Sequence, residues 1–176
     1  TSQQLADMMV GRAVSFKTPK KDANPQEVVL SVQDLVVKEN RGLEAVKGLS
    51  LEVRAGEVLG IAGIDGNGQS ELVQALTGLR KVESGKVTLN GDDITNQRPR
   101  KITLEGVGHV PEDRHKYGLV LDMTLAENIA LQTYFTDPLS KNGILNYNEI
   151  NEHARDLMQE FDVRAASEIV PAKALS

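Results

Sequence analysis

The sequence predicts an α/β fold, and three observations lead to that class. Residues 57–62 form a short apolar run with the length of a buried strand, and a glycine-rich stretch, 63–70, follows it directly. Apolar residues at helical spacing then continue through Leu76. Strand-like segments precede this unit and helical patterns follow from Leu125 onward, so strands and helices occur along the same chain.

The composition of the 176 residues excludes several classes of function. A net charge of −5 argues against a surface for nucleic acid or anionic membrane. Without cysteine there is no disulfide framework and no thiolate metal site, and His109, His115 and His153 lack the spacing of metal ligands. No apolar run approaches the roughly 20 residues of a membrane span and no signal peptide is visible, so we expect a cytoplasmic location.

The chain before residue 28 differs from the part that follows. Thr1 and Ser2 can cap a short amphipathic helix over residues 1–11, with Leu5, Met8 and Met9 on its apolar side. Residues 17–26 contain two prolines and no periodicity, which is typical of a linker.

Strands are predicted on both sides of the glycine-rich stretch. Residues 28–37 and 49–53 are expected to form an antiparallel sheet, with Gly42 marking a turn between them. After the first helix, which Gly78 ends, residues 84–91 and 107–110 are further predicted strands.

Two helices are predicted near the end of the chain. Thr124 is the expected N-cap of the first, and Glu127, three residues later, completes a capping box. Asn148 or Asn151 is expected to cap the second. Its apolar stripe would consist of Ile150, Ala154, Leu157, Met158 and Phe161.

The glycine-rich stretch, Gly63-Ile64-Asp65-Gly66-Asn67-Gly68-Gln69-Ser70, matches the phosphate-loop pattern G-x-x-x-x-G-K-[ST] except at one position. Glycines allow the backbone to curl until several N–H groups face one polyphosphate, and the helix that is predicted to begin near Gln69 adds the positive end of its dipole. The hydroxyl of Ser70 is placed to reach Mg²⁺.

Gln69 stands where the pattern requires lysine. A hydrogen bond to a charged group is worth about 1.5–3 kcal/mol and a neutral one about 0.5–1.5, so we expect nucleotide binding to be weakened about tenfold. Two alternatives remain open from the loop residues alone. One is a glycine-rich turn without a ligand, and the other is a dinucleotide loop, which fits less well because Glu71 occupies its third glycine position.

Several blocks in this order resemble the ATP-binding cassette of ABC transporters over residues 28–176. They are residues 55–60, the phosphate loop, and the segments 84–91, 110–114 and 123–129. The variant Pro111-Glu112-Asp113-Arg114 and the altered loop are similar to the second cassette of tandem importers for simple sugars and nucleosides. Residues 5–12 resemble the last helix of the first cassette in such proteins.

The resemblance implies a P-loop NTPase-like α/β fold that is incomplete at its C-terminal end. Residues 1–27 would be the end of a preceding cassette and a linker. Residues 28–124 would be the ATP-binding core, and residues 125–176 part of a helical subdomain.

The resemblance also implies ligands and partners. Ser70 would lie beside Mg²⁺, together with Glu112, which occupies the position of the Q-loop glutamine. Arg41 would replace the missing adenine-stacking aromatic residue. The expected partners are the other cassette of the same protein, transmembrane permease subunits and, indirectly, a substrate-binding lipoprotein, with no nucleic acid. The expected location is the cytoplasmic face of a bacterial membrane. The implied ATP contacts are Gly63, Asp65, Gly66, Asn67, Gly68, Gln69, Ser70 and Glu71.

The departures from the cassette pattern concern catalysis. The signature Leu-Ser-Gly-Gly-Gln is absent unless Leu175 and Ser176 begin it, and the Walker B strand, catalytic Glu and switch His would lie beyond Ser176. No catalytic residue is therefore predicted within this chain, which we expect to be inactive alone although its parent protein would be an ATPase. One alternative is a structural cassette that binds no nucleotide. The other is a small P-loop enzyme or GTP-binding switch, which the absence of Asn-Lys-x-Asp disfavours.

Overall fold

The computed structural model describes residues 22–175 and five earlier positions. Of these five, Gln4, Leu5, Met8 and Met9 are helical, and the apolar side chains among them are exposed. Most of the helix predicted over residues 1–11, its cap at Thr1 and Ser2, and the first half of the predicted linker, residues 17–21, lie outside the described residues. No helix in the described part of the chain combines the length and apolar character needed to cross a membrane.

The described elements form a sheet with helices packed on it, followed by a small helical part. The strands are β1 (Val28–Lys38), β2 (Glu44–Arg54), β3 (Val82–Leu89), β4 (Asp92–Asp93), β5 (Ser140–Lys141) and β6 (Ile144–Leu145). The helices are α1 (Gln69–Leu76), α2 (Pro99–Leu104), α3 (Leu125–Ala130) and α4 (Tyr147–Glu160), with a π-turn at Arg114–Gly118 and a 3₁₀ turn at Ala172–Ala174.

The main sheet is antiparallel, with strand order β2-β1-β3-β4. The predicted strands 28–37 and 49–53 are confirmed as parts of β1 and β2, and the predicted strand 84–91 is confirmed over residues 84–89, which belong to β3, whereas residues 90 and 91 form a turn. Apolar side chains on one face of the sheet, such as the fully buried Leu35, pack against Leu72 and Ala75 of α1. Because this face is buried against α1, it sets the position of α1 on the sheet and, with it, the position of the loop that precedes α1.

Two predicted strands are wrong. Residues 57–62 and 107–110 have no strand conformation, and Val58, Ile61 and Val110 are 96%, 57% and 84% exposed. A strand exists only where a neighbouring backbone accepts and donates its ladder hydrogen bonds. Neither segment has such a neighbour among the described residues, so an apolar run was not sufficient to make a strand.

The helical part has its own small core, which includes Ala126, Ala130 and Ile150. The predicted capping box is confirmed: the Thr124 hydroxyl accepts from the Glu127 N–H at 3.1 Å, and the Glu127 carboxylate accepts from the Thr124 N–H at 2.8 Å. The predicted cap of the second helix is wrong, because Asn146 caps α4 instead of Asn148 or Asn151.

The apolar stripe predicted for α4 is present only in part. Ile150 and Ala154 are buried, whereas Phe161 lies just beyond the helix and is 70% exposed.

One contact ties α2 to the segment that follows α3. The Arg100 guanidinium lies 3.8 Å from the ring centroid of Phe135 and donates to the Tyr134 hydroxyl at 3.0 Å. Such a cation–π contact contributes about 0.5–2 kcal/mol and gives the two parts of the chain a defined relative position.

Candidate functional site

The predicted phosphate loop is a tight turn that leads into α1. Gly66 and Gly68 have φ values of +82° and +97°, a region that residues with a Cβ rarely adopt. The Asn67 N–H donates to the Ile64 carbonyl at 3.2 Å and closes the turn. Gly68 is the N-cap of α1, so the helix begins at Gln69, as the sequence predicts.

The loop is held against the sheet at Gly68. A Cβ placed on Gly68 would lie 2.5 Å from the Ala45 carbonyl oxygen of β2, which is closer than atoms can approach without displacement. Gly68 is the buried residue of the loop, whereas Gly63, Asp65, Gly66 and Asn67 are exposed. The glycine therefore allows the loop to dock on β2 while its other residues face outward.

The first turn of α1 leaves backbone donors available beside the loop. The Leu72 N–H bonds to the Gly68 carbonyl at 2.9 Å. The N–H groups of Gln69, Ser70 and Glu71 precede the first intrahelical bond and are the donors that a helix start presents to an anion. The Ser70 side chain is exposed at this end of the helix, and Glu71 is half-buried.

Gln69 has a structural role that the sequence did not predict. Its side-chain amide donates from Nε2 to the Ile64 carbonyl at 3.2 Å and lies against the backbone of Gly63. The amide thus crosses the loop and joins its two sides. A lysine at this position would bring a positive charge to the same place.

An open groove of about 810 Å³ lies between the loop and the turn that connects β1 to β2. Arg41, the predicted base contact, stands on that turn, and Gly66, Asn67 and Glu71 stand on the opposite side. The fold therefore brings Arg41 and the phosphate loop to one groove, although more than 20 residues separate them in sequence. The groove is lined by Lys38, Glu39, Arg41, Gly42, Leu43, Glu44, Ala45, Lys47, Gly66, Asn67 and Glu71.

The Arg41 guanidinium is paired with Glu39 through two hydrogen bonds. Arg41 Nε donates to Glu39 Oε1 at 2.9 Å, and Arg41 Nη2 donates to Glu39 Oε2 at 3.1 Å. A bidentate pair of this kind is planar, and its faces remain free because the bonds lie in the plane. The Arg41 side chain is 78% exposed, so a face is accessible from the groove.

Glu112 lies apart from these contacts. It is exposed, and the described residues contain neither an ion pair between Glu112 and Arg114 nor a hydrogen bond between Glu112 and the loop. Its neighbour Asp113 accepts from the Lys116 N–H at 3.0 Å and caps the π-turn, a local structural role.

The loop offers few side chains that could contact a metal ion. No group of three or more His, Cys, Asp or Glu side chains in the described part of the chain is placed to hold a metal ion. Mg²⁺ at phosphate sites is held mainly by phosphate oxygens and water, with one or two protein ligands. The single exposed hydroxyl of Ser70 beside the helix start fits that type of site.

Arg80 is a residue near the groove that sequence reasoning missed. Its guanidinium donates to the Gln74 side chain at 2.8 Å, to the Lys38 carbonyl at 2.9 Å and to the Asn40 side chain at 3.0 Å. It therefore connects α1 to the β1–β2 turn. No local pattern predicts these contacts, because two of the three partners lie about 40 residues earlier in the chain.

Comparison with known proteins identifies the family. The model of the family described as "ABC transporter" matches residues 46–176. A solved structure described as a nucleotide-free ATP-binding cassette from an ABC transporter superposes with a TM-score of 0.65 and 24% identity, covering 85% of this chain and 60% of that one. At that identity the likeness concerns the fold alone.

Two curated relatives align along nearly the whole chain. The nucleoside import ATP-binding protein NupA of Lactococcus lactis subsp. cremoris (strain MG1363) is 66% identical over 176 residues, which are 100% of this chain and 35% of that protein. The guanosine import ATP-binding protein NupO of Bacillus subtilis (strain 168) is 56% identical over 173 residues, which are 98% of this chain and 34% of that protein. The chain thus spans about a third of the length of these relatives.

Proposed function

This chain belongs to the ABC transporter family, and on that premise we propose that it is part of the ATP-binding subunit of a bacterial importer. Its cargo would be a nucleoside in preference to a simple sugar, because the two relatives described above are named for nucleoside and guanosine import. Each of those proteins is about three times as long as this chain, which leaves room for another cassette in the same polypeptide.

The chain's place in that polypeptide is part of the proposal. Residues 28–124 form the ATP-binding core of a second cassette, residues 125–176 belong to its helical subdomain, and residues 1–27 join it to the first. The subunit lies at the cytoplasmic face of the membrane. It docks on permease subunits, which receive cargo from a substrate-binding lipoprotein. The support for this arrangement is the order of the motifs and the family membership.

The observation that carries nucleotide binding is the arrangement of the loop and α1. Gly68 docks the loop on β2, and the backbone donors of the first helical turn lie beside it. When MgATP is bound, the metal supplies positive charge to the phosphates. The protein side of the site would be the exposed Ser70 hydroxyl, with Glu112 as a second metal-side residue, and the backbone of residues 65–70.

A second candidate is a structural cassette that binds no nucleotide and serves dimerisation and coupling. The observation that favours it is the Gln69 amide, which joins the two sides of the loop and brings no charge to it. Nucleotide affinity separates the two functions directly.

Calorimetric titration of MgATP into this chain is the experiment that tests the proposal. We expect saturable binding that Asn67→Asp weakens about tenfold or more, because this nearly isosteric change places a carboxylate on the exposed loop that faces the phosphates. Asn148→Asp, an equal change at an exposed position of α4, serves as the control and should leave the affinity unchanged. If the folded chain releases no heat with MgATP, the structural cassette is the better description.

Replacing Gln69 by lysine should increase the affinity for MgATP about tenfold. A charged donor bonds to phosphate more strongly than a neutral amide does, and this gain exceeds the loss of the single bond to the Ile64 carbonyl. The matched control is Gln159→Lys, which adds the same charge at an exposed position of α4. An equal gain in both variants would mean that the added charge acts only at long range.

The chain alone is expected to release no phosphate from ATP above background. Its 176 residues contain neither a complete signature motif nor a Walker B segment with a catalytic Glu, so the groups that activate water are absent from this sequence. The measurement is phosphate release over many equivalents of protein. Sustained release that Ser70→Ala abolishes would contradict the expectation, since it would place turnover at this loop.

A further inference from the structure

Three parts of the chain that are distant in sequence meet at the Arg80 side chain. Each of the three guanidinium nitrogens donates one hydrogen bond: Nε to the Gln74 side chain of α1, Nη1 to the Lys38 carbonyl at the end of β1, and Nη2 to the Asn40 side chain. Arg80 is itself half-buried. A planar fork with three fixed acceptors holds the distance between α1 and the β1–β2 turn, which a lysine could not do.

The turn that Arg80 holds also has internal bonds. The Glu39 N–H donates to the Leu43 carbonyl at 2.8 Å, and the Gly42 N–H donates to the Glu39 carbonyl at 3.0 Å. Glu39 in turn orients Arg41 through its two carboxylate oxygens. Arg80, the turn and the Arg41–Glu39 pair therefore form one connected unit beside α1.

The charges along the groove indicate which part of a nucleotide this unit can accept. Three cations and three carboxylates line the groove, and the Arg41 cation is already neutralised by Glu39. A neutral lining suits an uncharged base better than it suits phosphates, which the backbone donors at the start of α1 would bind. The exposed face of the guanidinium–carboxylate pair offers a planar surface for stacking.

We propose that Arg80 is a positioning residue for the base of a bound nucleotide: it holds the β1–β2 turn so that the Arg41–Glu39 pair forms the surface on which the base stacks. This inference rests on the proposed binding of MgATP at the loop. Because both carboxylate oxygens of Glu39 are engaged with Arg41, the surface recognises the face of a base and not its edge. Adenine and guanine nucleotides should therefore bind with affinities within about threefold of each other.

The test compares MgATP with inorganic triphosphate in the presence of Mg²⁺, both titrated into the full chain by calorimetry. The two ligands share the triphosphate, so the ratio of their affinities reports the contribution of the nucleoside, which is the base together with its ribose. In the native sequence MgATP should bind about tenfold more tightly than triphosphate. Arg41→Ala should remove this difference without changing the affinity for triphosphate.

Arg80→Met should have the same effect as Arg41→Ala, and the double variant should be no worse than Arg41→Ala alone, because both act through one surface. Arg80→Lys, which can replace only part of the fork, should restore part of the difference. Arg98→Met, at an exposed arginine that precedes α2, is the control and should retain the full ratio. Asn40→Ala removes one contact on the turn itself and provides a second variant if Arg80→Met does not fold.

The outcomes separate this inference from the proposed function. If triphosphate and MgATP bind the native chain equally, or if Arg80→Met weakens both ligands by the same factor, the positioning role is wrong while phosphate binding stands. A strong preference for ATP over GTP would overturn recognition by the face of the base. If neither ligand binds the native chain, the proposed function fails and this inference fails with it.

Discussion

Replacing Gly68 by alanine is expected to lower the free energy of unfolding by about 2–4 kcal/mol and to weaken MgATP binding at the same time. Two costs combine at this position. The backbone has a φ of +97°, which disfavours any residue with a Cβ, and that Cβ would lie 2.5 Å from the Ala45 carbonyl oxygen. The loop must therefore move away from β2, and the backbone donors of the first turn of α1 move with it.

The matched control for Gly68→Ala is Gly66→Ala in the same loop. Gly66 has a φ of +82°, but a Cβ there would have no atom within 4 Å, so only the backbone cost of about 1 kcal/mol remains. Urea unfolding and MgATP calorimetry of the two variants make the comparison. Equal losses of stability would show that backbone conformation, and not the contact with β2, determines the need for glycine at residue 68.

The second large effect is expected at Asn128, which joins α3 to the segment before it. Its Nδ2 donates to the carbonyls of Val120, Met123 and Thr124 at 3.0, 3.3 and 2.9 Å, and its Oδ1 accepts from the Val120 N–H at 2.8 Å. Asn128→Ala removes all of these bonds. We expect a loss of about 2–3 kcal/mol, because each bond contributes about 0.5–1.5 kcal/mol net and part of the loss is recovered by water.

Asn148→Ala is the appropriate control for Asn128→Ala. Asn148 is exposed on α4 and is not the cap of that helix, so its removal should change the free energy of unfolding by less than about 0.5 kcal/mol. Thermal or urea unfolding of both variants provides the measurement. A loss at Asn128 no larger than the loss at Asn148 would mean that water fully replaces the asparagine.

The caps of the two late helices illustrate how far sequence reasoning reaches. The Thr124–Glu127 capping box was predicted correctly because both partners lie within one helical turn, and the bonds depend only on local spacing. The cap of α4 was predicted wrongly because asparagines at 146, 148 and 151 satisfy the same local rule. In the structure Asn146 is the cap. Its N–H donates to the Leu139 carbonyl at 2.9 Å, and this bond determines where the β5–β6 hairpin ends.

The strand predictions have the same explanation. Residues 28–37 and 49–53 were predicted correctly because a turn lies between them, and two strand-like segments joined by a turn pair with each other. Residues 57–62 and 107–110 have equally apolar sequences but no adjacent strand among the described residues. Pairing is a property of two segments, so the composition of one segment cannot establish it.

The sequence by itself determined the glycine-rich loop, the start of α1 at Gln69 and the family to which the chain belongs, because these depend on residue type at fixed local spacing. Only the tertiary structure decided that Gly68 docks on β2 and that Arg80 holds the turn carrying Arg41. The physical reason is the large separation, along the sequence, between the residues that make these contacts. A hydrogen bond to a carbonyl about 40 residues away in the chain depends on how the sheet and α1 pack, and no local pattern encodes that packing.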